Sequence, residues 1–481
     1  MRFLKKSNIG LWLGPLLFII TKFFFHPDGL LEEANSILAC TLWIAVWWIT
    51  EAIPIAATAL LPIVLFPLTG GLSISETTAS FGHKYIFLYL GGFILAIAIE
   101  KWNLHKRIAL NIIKLVGTNI NSIILGFMIA TAVLSMWISN TATAVMILPV
   151  GMAVVKQLRD NPKTEENETD VFGKALMLSI AYSASIGGMA TLIGTPPNLV
   201  LAGIVQKTYA VEITFSQWFI FGFPISVLLL FLCWFYLTRF AFKFEQKSFP
   251  AGKEEIDQQL KALGKISHEE KLVLVVFFTV AIAWITRSFI LTKWLPAIDD
   301  TIIAMTAATI LFIIPSKQER KPLIDWKDTI SIPWGIVLLF GGGMALAQGF
   351  ETSGLTVWIG NQLSSITGVH LWVLLLIIVA SVNFLTEITS NLATTAMLLP
   401  ILIPFAALAD VHPYYLLVGA TVAASCAFML PVATPPNAVV FGSGYLRIGD
   451  MVKTGVWMNI LSILILTFMV YFVLPVLWDL G

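Results

Sequence analysis

Two polar motifs, each present twice, are where this sequence could do chemistry. Residues 134–150 (LSMWISNTATAVMILPV) lie over 385–401 (LTEITSNLATTAMLLPI) with 8 identities in 17 positions, pairing Ser139-Asn140 with Ser390-Asn391. Downstream, Gly194-Thr195-Pro196-Pro197-Asn198 lies over Ala433-Thr434-Pro435-Pro436-Asn437, and upstream Gly91-Gly92 lies over Gly341-Gly342. Ser, Thr and Asn supply hydroxyls and amides that bind carboxylate oxygens or a hard cation such as Na⁺. A half-helix beginning after Asn140 or Asn391 would point its positive N-terminal end at an anion. The Pro-Pro pairs break their helices by removing donors and clashing with the preceding turn, and carbonyls freed near Gly194 and Ala433 suit a cation. Segments 121–155, 371–409, 190–198 and 431–437 contain no Arg, Lys or His. An anion held there needs positive charge from a co-bound cation, which argues for cation coupling. Glu387 lies inside the second motif, where a proton relay, a cation neighbour and a satisfied structural acid are all open readings. Glu51 and Glu100, near span ends, read as interfacial.

The elements that carry these motifs are membrane spans. Of the 481 residues 58% are apolar and only 12% charged, and the net charge of +1 gives no reason to expect nucleic-acid binding or a polybasic lipid tether. The lone cysteines, Cys40, Cys233 and Cys426, sit far apart in apolar runs and read as packing residues. Six histidines without HExxH or a short-spaced cluster leave little for a metalloenzyme. Arg2, Lys5 and Lys6 precede an apolar run that continues through Phe25 without a cleavage site, so it reads as a first span rather than a signal peptide.

Apolar stretches of about 20 residues mark spans near 10–26, 35–51, 54–68, 85–100, 173–205, 214–238, 271–290, 300–315, 333–349, 413–443 and 453–478. Residues 121–155 carry no charge and 371–409 carry only Glu387. Each is too long for one crossing and has a Ser-Asn pair near its middle, so both read as re-entrant hairpins. Loop charges fit this scheme if the N-terminus is cytoplasmic. Lys101, Lys106, Arg107, Lys114, Lys156, Arg159, Lys163, Lys317, Arg320, Lys321 and Lys327 then fall inside, against Lys84, Lys207, Arg287 and Lys293 outside. The polar stretch 239–271 falls inside and the C-terminus outside.

The expected architecture is an all-α polytopic membrane protein with eleven spans and two hairpins. Residues 1–34 form an N-terminal span and loop, and 35–238 a first repeat with hairpin 121–155 and broken span 173–205. A cytoplasmic linker, 239–270, precedes a second repeat, 271–481, with hairpin 371–409 and broken span 413–443. Five spans and a hairpin per half force the second copy upside down, an inverted repeat of the kind secondary transporters use. The repeated glycines read as helix-packing sites; the paired Ser-Asn and Thr-Pro-Pro-Asn motifs read as functional.

These residues resemble the divalent anion/sodium symporter family of dicarboxylate, citrate and sulfate carriers. The likeness rests on Trp47-Trp48-Ile49-Thr50-Glu51-Ala52-Ile53-Pro54, Ser139-Asn140-Thr141, Ser390-Asn391, both Thr-Pro-Pro-Asn turns and 424–440 (ASCAFMLPVATPPNAVV), and covers nearly the whole chain. It implies a homodimer in a bacterial inner membrane, each protomer with a scaffold domain and a transport domain that moves as an elevator. The substrate's carboxylates would meet Ser139, Asn140, Thr141, Thr195 and Pro196 from one half, and Ser390, Asn391, Leu392, Thr434 and Pro435 from the other. One Na⁺ would be held by Ser135, Ser139, Asn140 and Gly194, and another by Thr386, Thr389, Asn391 and Ala433. Leu392 stands where the fuller motif has a threonine, so the second turn lacks the hydroxyl that the fuller motif would offer the substrate. Exchangers in the family often have an Arg soon after the first motif, and here that stretch is Ala142-Thr143-Ala144, which favours Na⁺ symport.

The function expected is Na⁺-coupled uptake of a C4-dicarboxylate such as succinate, malate or fumarate, with a Na⁺-independent exchanger as the alternative. An intramembrane hydrolase lacks paired Asp, Ser/His or zinc-ligand chemistry in the spans, and a passive anion channel does not account for the inverted repeat.

Overall fold

A computed structural model describes residues 6–117, 119–160, 166–244, 250–318, 321–363 and 370–480. Arg2, Lys5, Lys163, Arg320 and the C-terminal residue lie outside them. Among the described residues the regular structure is helical, with an isolated bridge between Pro315 and Pro322. Helices are the expected outcome where long apolar runs leave the backbone no water to bond, because a helix satisfies its own N–H and C=O groups. Among the described residues seven helices are long and apolar enough to cross a membrane, and six shorter apolar helices accompany them.

Both segments too long for one crossing are pairs of helices joined by a turn. In the first, Ile120–Ser135 and Asn140–Arg159 are joined by the turn 136–139. The second arm and the preceding helix Leu104–Val116 both meet the linker helix Pro250–Ala262: Gln157 Nε2 donates to Glu255 Oε2 at 3.3 Å, and Lys114 Nζ is 2.7 Å from Asp257 Oδ1. In the second, Leu371–Leu385 and Asn391–Leu408 are joined by the turn 386–390 and both pack against Pro413–Ala424, with Leu374, Ala406 and Leu416 clustered near the open end. Each Pro-Pro motif interrupts its helix: Glu166–Gly188 stops before Pro196–Tyr209, and Pro413–Ala424 before Pro435–Phe441.

The halves interlock. Pro196–Tyr209 packs against Asn391–Leu408, and Pro435–Phe441 against Asn140–Arg159, so each hairpin rests on the opposite repeat's broken helix. The breaks themselves touch, with Cys426 Sγ 3.6 Å from Met189 Sδ and the Tyr182 and Phe428 rings edge to face at 5.0 Å. Cys40, Cys233 and Cys426 are free thiols buried in the packing.

The structure departs from the sequence reading at three helices. The span expected at 54–68 is two pieces, Ile55–Thr58 and Leu61–Thr69, which meet just ahead of Pro62. Leu104–Val116 and Leu355–Leu363 are helices that hydropathy alone does not mark as spans. The first is amphipathic, and Arg107 on its polar side holds Glu270 at 2.8 and 3.2 Å and also donates to the Leu263 and Gly264 carbonyls. The repeated glycines are packing sites. A Cβ on Gly91 would meet Ala304 at 2.7 Å, and one on Gly342 the Ala59 carbonyl oxygen at 2.6 Å.

Candidate functional site

The turn of each hairpin meets the break of its own repeat, and the same hydrogen-bond pattern occurs in both halves. Ser135 Oγ lies 2.6 Å from Asn140 Oδ1 and 2.7 Å from the Ala184 carbonyl oxygen. In the second half Thr386 Oγ1 lies 2.8 Å from Asn391 Oδ1 and 3.0 Å from the Ala424 carbonyl oxygen. A hydroxyl has one hydrogen, so each trio places three oxygens together with one proton among them. That is a donor set fit for a small hard cation. Ser135 and Thr386 are fully buried behind their asparagines.

The breaks are held open by side-chain amides. Asn198 Nδ2 donates to the Thr191 carbonyl at 2.8 Å, and Asn437 Nδ2 to the Leu430 and Ala427 carbonyls at 3.0 and 3.2 Å. The halves then differ. At the first break Thr191 Oγ1 donates to the Met136 carbonyl at 2.6 Å. Glu387, which aligns with Met136, accepts the Phe428 and Met429 N–H groups at 2.8 and 2.9 Å on Oε1 and the Leu430 N–H at 3.0 Å on Oε2. Asn459 Nδ2 adds a fourth bond at 2.7 Å. Of the three open readings of Glu387, this geometry is that of a satisfied structural acid, bonded to three successive N–H groups of the second break.

Between the two turns lies a cavity of about 730 Å³. Ser139, Asn140, Thr141, Gly194, Thr195 and Pro196 line it from one half, and Thr389, Ser390, Asn391, Leu392, Ala433, Thr434 and Pro435 from the other. Every candidate site residue is thus on the wall except Ser135 and Thr386, which stand one layer behind. Four helices begin there, at Asn140, Pro196, Asn391 and Pro435. The hairpin helices offer N–H groups in their first turns, whereas the two prolines opening each of the others have none. The cavity therefore presents anion-facing and carbonyl-rich elements side by side. Ser139 Oγ already accepts the Ala142 N–H at 3.2 Å, and Thr389 Oγ1 lies 2.6 Å from Thr394 Oγ1, so both hydroxyls also fix their turns. Leu392 is 4% exposed, packed yet on the wall.

The remaining wall comes from residues that the motifs did not mark: Tyr89, Ile55, Ala56, Pro333, Gly335, Ile336 and Leu339. They are apolar or aromatic and carry no signal that would single them out in sequence. Glu51, an exposed residue at the end of its helix, also lines this wall.

A family model described as the sodium:sulfate symporter transmembrane region matches residues 5–478. A Staphylococcus saprophyticus protein named sodium-dependent dicarboxylate transporter SdcS is 49% identical, over 98% of this chain and 93% of its own length. The protein of that name from Staphylococcus aureus strain USA300 is 48% identical, over 97% and 91%. Among solved structures, Neisseria gonorrhoeae MtrF matches with a TM-score of 0.57 at 12% identity, over 99% of this chain and 98% of its own. The Alcanivorax borkumensis YdaH transporter matches at 0.58 and 14%, over 92% and 99%. At such identities these two show a shared fold.

Proposed function

The chain belongs to the sodium:sulfate symporter family, a family of multi-pass membrane transporters rather than enzymes, and from that premise we propose that it is a Na⁺-coupled symporter of C4-dicarboxylates such as succinate, malate and fumarate. The observation that carries this reading is the mirrored trio of oxygens, Ser135 with Asn140 and Ala184, and Thr386 with Asn391 and Ala424. Each trio, with the carbonyl side of Gly194 or Ala433, holds one Na⁺. Two cations behind the turns supply the positive charge that the side chains of the wall lack. The substrate's two carboxylates then meet the starts of the two hairpin helices, one at Ser139-Asn140-Thr141 and the other at Ser390-Asn391-Leu392. The names of the staphylococcal relatives agree with both the ion and the substrate class.

Movement follows from how the parts are joined. Hairpins and broken helices interlock with one another and form a transport domain. The walls at Glu51, Ala56 and Gly335 belong to other helices and form a scaffold against which that domain slides as an elevator. The N-terminus is cytoplasmic, the hairpins enter from opposite sides as re-entrant elements, and two protomers associate through their scaffolds. Equilibrium binding of labelled succinate to the purified protein tests the site: binding must appear with Na⁺, be absent with K⁺, and vanish in an Asn140→Ala, Asn391→Ala double variant. Binding of equal strength in Na⁺ and K⁺ contradicts the reading.

A further inference from the structure

Among the described residues that line the 730 Å³ cavity, Glu51 is the one acidic or basic side chain, and it is a carboxylate like the groups of the proposed substrate. No described residue offers the Glu51 carboxylate a hydrogen bond or an ion pair. Its backbone is in the left-handed region, φ 49° and ψ 44°, where it ends the helix Glu32–Thr50 and its N–H bonds the Trp47 carbonyl. A branchless glycine, or an asparagine, is the ordinary residue for such a helix end. Of the five non-glycine residues with this backbone, Glu51 alone lines the cavity. Unlike the site asparagines, it stands on an element outside the hairpins and the breaks.

We infer that Glu51 sets the charge selectivity of the cavity: its carboxylate raises the local concentration of Na⁺ and opposes a dicarboxylate until cations are bound. The inference rests on the reading of this cavity as the site of a dianion and its cations. An unpaired negative charge on a water-filled wall lowers the potential everywhere in the cavity. A monovalent cation gains from that potential and a dianion loses twice as much. Empty of Na⁺, the cavity therefore disfavours the substrate; once both cations are seated, their charge outweighs that of Glu51. This makes Glu51 a specificity-determining residue without contact to substrate.

The test is a charge series at this position in the purified full-length protein, Glu51→Gln and Glu51→Lys with Glu51→Asp as the charge-conserving control. Two constants are measured: the Kd for succinate at saturating Na⁺, and the Na⁺ concentration that half-saturates the thermal stabilisation of the protein without substrate. For a charge on the order of 10 Å away in a mostly aqueous cavity, Glu51→Gln is expected to tighten succinate binding about three- to tenfold. Because Na⁺ carries half the charge with the opposite sign, its half-saturation should rise by the square root of that factor, about two- to threefold. Glu51→Lys should square both changes, and Glu51→Asp should leave both near wild type. Opposite movement of cation and anion is a signature that a loss of packing does not produce. Constants that are unchanged in Glu51→Lys, or that weaken together for both ions while Glu51→Asp is normal, overturn the inference. Wild-type protein that binds succinate without regard to Na⁺ overturns the reading of the site, and this inference with it.

Discussion

Gly188 and Asn140 are packed so closely that a Cβ on the glycine would lie 2.5 Å from Asn140 Oδ1 and 2.9 Å from its Nδ2. The glycine belongs to the end of the first broken helix and the asparagine to the start of the hairpin helix, so this contact joins the two parts of the proposed first cation site. Gly188→Ala should turn the Asn140 amide out of its trio and leave the fold in place, because the side chain is the softer partner. Uptake should fall at least about tenfold, the loss of one hydrogen bond to a charged group. Gly449→Ala, where a Cβ meets nothing within 4 Å, should behave as wild type in the same assay.

The two site asparagines should each be indispensable. Asn140→Ala and Asn391→Ala each remove an amide oxygen from a trio and an amide from the wall. Each should cost roughly 1.5–3 kcal/mol, or about 10- to 150-fold in substrate or Na⁺ affinity. Normal gel filtration with lost binding is the expected result, and transport within about twofold of wild type in either variant contradicts the assignment.

Glu387 should matter to the fold of its half before it matters to transport. Glu387→Ala strands the Met429 and Leu430 N–H groups and one Asn459 amide hydrogen, while the Phe428 N–H keeps Asn459 Oδ1 at 3.2 Å; the loss is on the order of 3–5 kcal/mol by analogy with breaking a buried charged pair. Expression or thermal midpoint should fall sharply, and the aligned Met136→Ala should be far milder, since there the break is held by a backbone carbonyl. Equal midpoints for the two variants would show that the four bonds contribute little.

Much of this arrangement is legible in the sequence, and the reasons for what is not are physical. The absence of charge over 121–155 and 371–409, with a Ser-Asn pair at each centre, marks segments too long for one helix, and each is two helices joined by a turn at that pair. The Pro-Pro pairs mark the breaks because a helix cannot pass them. Amphipathic helices such as Leu104–Val116 escape a search for apolar runs, since half of each surface is polar by design. The role of Glu387 is hidden for another reason: its partners are N–H groups 41 to 43 positions away in sequence, and a backbone donor leaves no mark in residue type. Leu392 shows the limit at a single position, for its side chain is both packed and on the wall, two readings that the sequence presents as alternatives.

The fold-back of the first hairpin can be checked by accessibility. Cysteines placed at Asn119 and Asp160, both exposed residues at its outer ends, should react with an impermeant thiol reagent from the same side of the membrane, the cytoplasmic one. The three native cysteines are buried and should contribute little background. Labelling of the two positions from opposite sides rules out a hairpin.

The central claim is that Na⁺ drives a dicarboxylate through this protein, and the direct measurement is uptake of radiolabelled succinate into proteoliposomes. With an inward Na⁺ gradient the label should accumulate above its external concentration, then leak back when the gradient is collapsed. With K⁺ in place of Na⁺ on both sides, neither uptake nor counterflow should exceed protein-free liposomes. Succinate counterflow that proceeds at full rate without Na⁺ would contradict the account and make the protein an exchanger.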